Sequence, residues 1–421
     1  MNGADCKRRV VVTGMGVIAP NGKDLVTFWE SIREGRSAVV PLTRFPAGNL
    51  PSRVAAEVSD FHIGKYSDPK KVRRFDLSIQ YGIAAARLAM QDAKGDVVSR
   101  NPERVGIIEG TSVSGMESSF KGQTAFESTR GYRSMSPFTL INAYTGGGAG
   151  EIALELGIQG HAASYSSGSA SGNDVIGYAL RMIRDDEVDV MFAGGAEAPI
   201  LAPLWGAFCL MKVMSTCNDA PATAMKPFDV ARDGFVLGEG AAFLVLEELS
   251  HALSRGARIY AEIAGHGRAV EAYHSVAPHP DGIGMKRAME KALRDAGLAP
   301  SAVNYINAHG TATPANDTAE TRAIGTHFGV QARRLAVSST KGVTGHLLAA
   351  AGALETVVAA LAIHHQVIPK TTNLIMPEPE CDLDLVIGNS RPYPIEVALN
   401  LSSGFGGKNS CLALKRYPGR A

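Results

Sequence analysis

The sequence predicts an α/β protein whose strands are covered by helices on both faces and whose two repeated halves pack as one unit. Three observations carry this reading. Apolar strand-like runs alternate with segments of helical apolar spacing along the chain. The same order of elements occurs twice. Glycine is abundant, at 46 of 421 residues, as many tight strand-to-helix turns require.

Taken in order, "RRVVVTGMGV" reads as a buried strand and turn. Its basic residues ahead of an apolar run mimic a secretion signal, but the run is short, holds two glycines and lacks a small-residue cleavage site. "DLSIQYGIAAARLAMQDAK" carries helical spacing, "RVGIIEGTS" is strand then turn, and "NDVIGYALRMIRDDE" is a helix. "VDVMFAGGAEAP" is a strand running into a glycine-rich loop. Residues 284–313 then repeat the order of residues 82–114: helix, linker, strand, polar loop. The helix after His346, "LLAAAGALETVVAALAIHH", echoes the one after Ser169. The halves meet near residue 255, giving an N-terminal half 1–255 and a C-terminal half 256–421. No Pro-rich or Ser-rich linker separates them, so one catalytic unit is expected.

Composition narrows the function. Apolar residues make up 45% and charged residues 20% of the chain, enough for a substantial core. A net charge of +1 argues against a nucleic-acid binder or a polybasic membrane surface. The five cysteines, Cys6, Cys209, Cys217, Cys381 and Cys411, are scattered and form no CxxC pair. That pattern speaks against disulfides and against a metal site, and for a reducing cytoplasm. No run of about 18 apolar residues is free of charge or turn residues, so no transmembrane helix is expected.

Four polar loops follow expected strands, where α/β folds place their sites. The first, in "YSSGSASGNDV", holds Ser169. The second, "NAHGTATPANDTAE", holds His309. The third, "SSTKGVTGHLLAAAG", holds Lys341 and His346. The fourth, "LNLSSGFGGKNS", is a glycine-rich turn between two strands. Together they offer a nucleophile, two imidazoles, an ammonium and backbone N–H groups for a substrate oxygen. Each also has an ordinary reading. A serine ahead of a helix commonly caps it, a histidine after a strand commonly bonds a turn, Lys341 could be solvated, and GFGG could be only a tight turn. "GMG" near residue 15 lacks the spacing of a dinucleotide fingerprint. The joint occurrence of the loops in one repeated frame is what points to catalysis.

The stretches "RRVVVTGMGVIAPNG", "RDGFVLGEGAAFLVLEE", "NAHGTATPANDTAE", "SSTKGVTGHLLAAAGALE" and "SGFGGKNS" make the resemblance specific. Over nearly its whole length the chain resembles the β-ketoacyl-[acyl carrier protein] synthases, the elongating ketosynthases of the thiolase-like superfamily. The resemblance implies a five-layer αβαβα fold, a dimer, and a tunnel for a phosphopantetheine arm. It implies an acyltransferase that performs decarboxylative Claisen condensation of malonyl-carrier with an acyl chain. Acyl carrier protein would be the partner, with no cofactor bound permanently. The dimer would be formed with a second copy or with a homologous chain-length-factor subunit. "GGAEAPI" and the small Ser403, where fatty-acid enzymes usually have a bulky Phe, resemble ketosynthase subunits of type II polyketide systems.

Residue by residue, the resemblance puts Ser169 at the nucleophile position, where the family pattern T-A-C-x-S-G has cysteine. His309, His346 and Lys341 fall on the other catalytic positions. Thr311 and Thr313 fall on substrate-binding positions, and Ser403 and Phe405 on the gate. The backbone N–H groups of Ser169 and Ser403 would hold the oxyanion. Asp317, Glu320 and Glu355 would orient Lys341 and the histidine loops. His346 would sit at a helix start, whose positive end favours a neutral imidazole. Lys70, Lys71, Arg73, Arg74 and Lys226 would form a rim for an acidic carrier.

The serine changes the expected chemistry. A helix N-terminus can bring a thiol into its ionised form near neutrality, but not an alcohol. Ser169 therefore needs a base, for which His309 is the natural candidate. Three accounts fit: an engineered Cys-to-Ser change, a natural serine nucleophile served by a base, or a chain that no longer condenses. The last would be a malonyl-carrier decarboxylase or a chain-length-factor-like partner. A thiolase acting on coenzyme A would need a second cysteine near the GFGG turn, and Cys411 lies beyond it in an expected strand.

Overall fold

The computed structural model describes residues 8–419; Cys6 lies outside them. The first strand, β1 (Val10–Ile18), is buried throughout. The turn expected at its "GMG" is absent, because the strand runs on through both glycines with a register shift between Val12 and Gly14. The strand needs glycine for a different reason. The helix α1 (Leu77–Ala93) lies so close that a Cβ on Gly16 would sit 2.1 Å from the carbonyl oxygen of Ala85.

Four strands complete the first half of the main sheet: β2 (Val105–Gly110), β3 (Ala162–Tyr165), β4 (Val190–Glu197) and β5 (Gly240–Glu248). The second half holds β6 (Ala261–Val270), β7 (Tyr305–Asn307), β8 (Ala336–Ser338), the short β9 (Asp384–Leu385), β10 (Val397–Gly404) and β11 (Lys408–Lys415). Their spatial order is β9-β8-β7-β10-β11-β6-β1-β5-β4-β2-β3. Apart from β9, each half reads first, fifth, fourth, second, third in its own chain order. The directions match too: β2 is parallel to β3 and β4, and β7 to β8 and β10; the added β9 is parallel to β8, and the remaining neighbours are antiparallel. The halves join through β1 and β6, which pair over Val10–Val12 and Ala261–Ile263.

The helices follow the same repeat. α1 covers the outer face of the first half-sheet with α2 (Gly147–Leu156), and α4 (Ile283–Ala296) and α5 (Pro314–Phe328) cover the second. Between the half-sheets lie α3 (Ser171–Arg184) and α6 (Ala351–His365). This is the five-layer αβαβα arrangement. The central helices touch at backbone distance: a Cβ on Gly172 would lie 2.4 Å from the backbone nitrogen of Ala353. α6 is buried from Ala351 through Ile363, which explains its lack of a polar stripe. The run Leu348–His365 is long and apolar enough to cross a membrane, but 89% of it is buried inside the protein as a core helix. Cys209, Cys217, Cys381 and Cys411 carry free thiols.

The repeat positions the chemistry. β3 and β8 are equivalent strands that feed α3 and α6, so Ser169 follows one and Lys341 and His346 follow the other. β7 delivers His309 and the β10–β11 hairpin delivers the GFGG turn to the same end of the sheets.

Candidate active site

Ser169 sits in the turn between β3 and α3. Gly168 adopts φ 67°, a left-handed conformation that L side chains rarely take. The Ser167 N–H donates to Ser171 Oγ at 2.8 Å, and Ser171 Oγ donates to the Gly168 carbonyl at 2.6 Å. The polar work at the helix start therefore belongs to Ser171. Ser169 does not cap the helix; its Oγ lies 3.0 Å from His346 Nε2. The partner is His346, rather than the His309 expected as base.

His309 stands edge-on to His346, with ring centroids 5.3 Å apart. Both imidazoles are buried and held well below the usual histidine pKa, so both are neutral near pH 7. For His346 the causes are burial and then the Lys341 charge; for His309 they are burial, Lys341 and His346. His346 lies just ahead of the turn Leu348–Ala350 that runs into α6, close to the helix start expected for it. The short helix Lys341–Thr344 ends at Gly345, and His346 follows in a segment bridged to Leu237 before α6 begins. Burial, and then the neighbouring Lys341 cation, hold its ring neutral. In a neutral ring Nε2 either accepts the Ser169 hydroxyl proton or donates its own, according to tautomer.

Lys341 is fully buried. Its ammonium donates to the His309 carbonyl oxygen and to Glu355 Oε1, and lies 3.4 Å from His309 Nδ1. Burial pushes the Glu355 carboxyl up to about 7, against the pull of Lys341. Glu320 is also pushed up to about 7, chiefly by burial, although it accepts the backbone N–H groups of His309 and Gly310. Asp317 supports the His309 loop, as expected, but not Lys341. It does not touch Lys341; it accepts the Phe228 N–H at 2.8 Å, lies 3.7 Å from Arg232 Nε, and is bonded to the Ala312 backbone. It ties the His309 loop to the Phe228–Arg232 segment.

Ser169, His309, His346, Thr311, Thr313 and Ser403 line one cavity of about 330 Å³, walled by Phe208, Phe235 and Phe405. Thr311 and Thr313 share a hydrogen bond at 2.9 Å. The GFGG turn lies directly over the Ser169 turn: a Cβ on Gly404 would be 2.6 Å from the Ser167 carbonyl oxygen and 3.1 Å from the Ser169 nitrogen. The basic residues lie elsewhere. Lys70, Lys71, Arg73 and Arg74 are exposed on and just after the short helix Pro69–Val72, and Arg74 stacks over Phe138 at 4.4 Å. Lys226 is half-buried beside Asp229.

Sequence reasoning missed several parts of the site. Phe235 meets His346 edge-on at 5.4 Å, and residues 276–278 form part of the cavity wall. Ser171, four residues after Ser167, was visible as a spacing of two small hydroxyls. The others have no local signal.

The comparisons with known proteins agree with this geometry. Residues 7–252 match the family described as Beta-ketoacyl synthase, N-terminal domain, and residues 260–375 match Beta-ketoacyl synthase, C-terminal domain. The chain is 44% identical over 410 residues to 3-oxoacyl-[acyl-carrier-protein] synthase 2 of Coxiella burnetii, covering 97% of this chain and 99% of that one. It is 43% identical over 411 residues to the protein of the same name from Synechocystis, covering 98% and 99%. Among solved structures, the ishigamide ketosynthase/chain length factor superposes with a TM-score of 0.91 at 34% identity, covering 98% of this chain and 100% of that one. A ketosynthase solved with its type II PKS acyl-carrier protein and bound to the hexaketide gives 0.89 at 35%, with the same coverage. The duplicated fold, the two-histidine cavity and these matches place the chain in the β-ketoacyl synthase family of acyltransferases.

Proposed function

We propose that the protein condenses a malonyl group with an acyl chain, both carried on phosphopantetheine arms of an acyl carrier protein, in fatty-acid or type II polyketide synthesis. The observation that supports this most directly is the 3.0 Å contact of Ser169 Oγ with His346 Nε2 in the cavity that also holds His309. Ser169 Oγ attacks the acyl thioester. Its proton passes through His346 to the departing thiolate, leaving an acyl ester on Ser169. The backbone N–H groups of Ser169 and Ser403 receive the oxyanion. A malonyl group then loses CO₂, and the enolate oxygen accepts hydrogen bonds from His309 and His346. The enolate carbon attacks the ester, and the serine alkoxide takes a proton from solvent through His346. Burial, together with Lys341 held by Glu355, keeps both imidazoles neutral and so able to serve as donors or acceptors. Thr311 and Thr313 contact the arm, and Ser403 with Phe405 gates the acyl end. Lys70, Lys71, Arg73, Arg74 and Lys226 receive the carrier. The active form is a dimer with itself or with a homologous subunit, and a stable monomer in sedimentation would count against that.

An alcohol is a weaker nucleophile than the cysteine of the family pattern, so acylation is slow and decarboxylation, which does not use Oγ, is retained. The test is mass spectrometry of the protein after incubation with acyl-carrier, beside release of CO₂ from malonyl-carrier. Ser169→Cys is expected to raise condensation by orders of magnitude, and His309→Ala or His346→Ala to lower decarboxylation. Neither an acyl adduct nor CO₂ release would make the chain a non-condensing partner subunit instead.

A further inference from the structure

Asp174 on α3 and His266 on β6 form a buried pair, 4% and 2% exposed, outside the catalytic cavity. Asp174 Oδ2 accepts the Ser167 hydroxyl at 2.7 Å, and Oδ1 lies 3.2 Å from His266 Nε2. His266 Nε2 also lies 3.1 Å from Ser410 Oγ. Burial disfavours the Asp174 carboxylate, but the hydrogen bonds from His266, Ser167 and Ser410 outweigh it and hold the carboxyl below its usual pKa. The imidazole is fixed from behind as well. Its ring lies against Gly177, where a Cβ would come within 2.0 Å of Nδ1, and its backbone N–H donates to Asp295 Oδ2 at 3.0 Å.

The two ends of this network are the two turns of the proposed oxyanion site. Ser167 precedes Ser169 by two residues. Ser410 on β11 faces Ser402 on β10, next to Ser403. The same turns touch where Gly404 meets the Ser167 carbonyl. Acyl transfer needs two backbone N–H groups held at a fixed separation, and a misplacement near 1 Å costs a factor on the order of 100. Burial holds the His266 imidazole below its usual pKa, against the pull of Asp174, so the contact is a hydrogen bond to a neutral ring, and a satisfied buried polar network of this kind fixes geometry. Among the described residues, no hydrogen bond of Asp174 or His266 reaches the His309 or His346 loops. We propose that Asp174 and His266 are positioning residues for acyl transfer, setting the gap between the Ser167–Ser169 turn and the Ser403–Gly404 turn. The proposal rests on the function given above.

Three readouts test it: acylation of Ser169 by an acyl-carrier donor, CO₂ release from malonyl-carrier, and amide hydrogen exchange of the peptides spanning 165–172 and 400–410. His266→Leu should lower the acylation rate constant roughly 10- to 100-fold with little change in KM, and speed exchange in both peptides. Decarboxylation should hold. His266→Gln, which keeps a donor toward Asp174, should recover most of both effects. If the Leu variant does not fold, Asp174→Asn, equal in size but poorer as an acceptor, is read in the same assays. Acylation and exchange like the unaltered protein would overturn the proposal, as would an equal fall in acylation and decarboxylation. If the unaltered protein shows neither reaction, the proposed function fails, and the exchange data alone decide whether the pair holds the two turns.

Discussion

Glu320 accepts the backbone N–H of His309 at 2.7 Å through one oxygen and that of Gly310 at 2.8 Å through the other. The carboxylate sits one helix away from the imidazole it places, and it fixes the loop rather than the ring. Glu320→Ala would leave two buried N–H groups without an acceptor, at about 1–3 kcal/mol each. The variant should melt earlier and release CO₂ from malonyl-carrier ~10- to 100-fold more slowly, through displacement of His309. Glu320→Gln, which keeps one acceptor, should fall between. Decarboxylation at the original rate in Glu320→Ala would show that other contacts hold the loop.

The histidine loops were legible because each is one contiguous stretch after one strand: His309 with Glu320, and Lys341 with His346 and Glu355. A one-dimensional reading captures residues that meet through a single turn or helix. Ser169 was located, but its partner was not, because His309 and His346 come from separate loops and only packing decides which reaches Oγ. The Asp174–His266 pair was invisible for the same reason. A histidine in an apolar strand and an aspartate in a helix give no sign of each other across 92 residues. The "GMG" turn was misread because glycine there answers a close helix, which only the third dimension shows.

Glu109 carries a pH prediction. It is buried beside Glu197, and burial pushes its carboxyl up to about 8, against a hydrogen bond from Ser164. The ordinary value is 4.5, so between these two the native protein holds a proton that the unfolded chain has lost. Stability contributed by this site is therefore full below the ordinary value and falls as pH rises toward 8. Glu109→Gln stays neutral throughout. The variant should match the unaltered protein near pH 4.5 and gain on it steadily up to about pH 8, by at most ~1.4 kcal/mol per unit. Parallel melting curves across that range would mean that Glu109 is ionised in the folded protein.

The basic helix Pro69–Val72 offers a test of carrier docking. Lys70, Lys71 and Arg73 are exposed there, whereas Arg74 is engaged with Phe138 and Phe75. Reversing Arg74 would disturb packing as well as charge, so Lys70→Glu, Lys71→Glu and Arg73→Glu form the cleaner set. Combined, they should weaken binding of an acidic carrier and flatten its dependence on salt. Titration calorimetry at two ionic strengths checks this, and unchanged affinity at low salt would remove the helix from the docking surface.

Two glycines of the same turn separate steric closure of the site from backbone strain. A Cβ on Gly404 would lie 2.6 Å from the Ser167 carbonyl oxygen, a backbone atom with no freedom to move aside. Gly404→Ala should therefore push the GFGG turn off the Ser169 turn and lower the acylation rate of Ser169 or of Ser169→Cys, on the order of 100-fold for a displacement near 1 Å. Gly406 differs: it adopts φ 81°, and a Cβ there meets only the Lys408 side chain at 3.9 Å. Gly406→Ala should cost about 1–2 kcal/mol of stability from the left-handed backbone and affect acylation less. Measured side by side, acylation and melting temperature should move in opposite proportions in the two variants. If Gly404→Ala acylates at the original rate, the contact between the turns does not set the oxyanion geometry, and the Asp174–His266 network would have nothing there to hold in register.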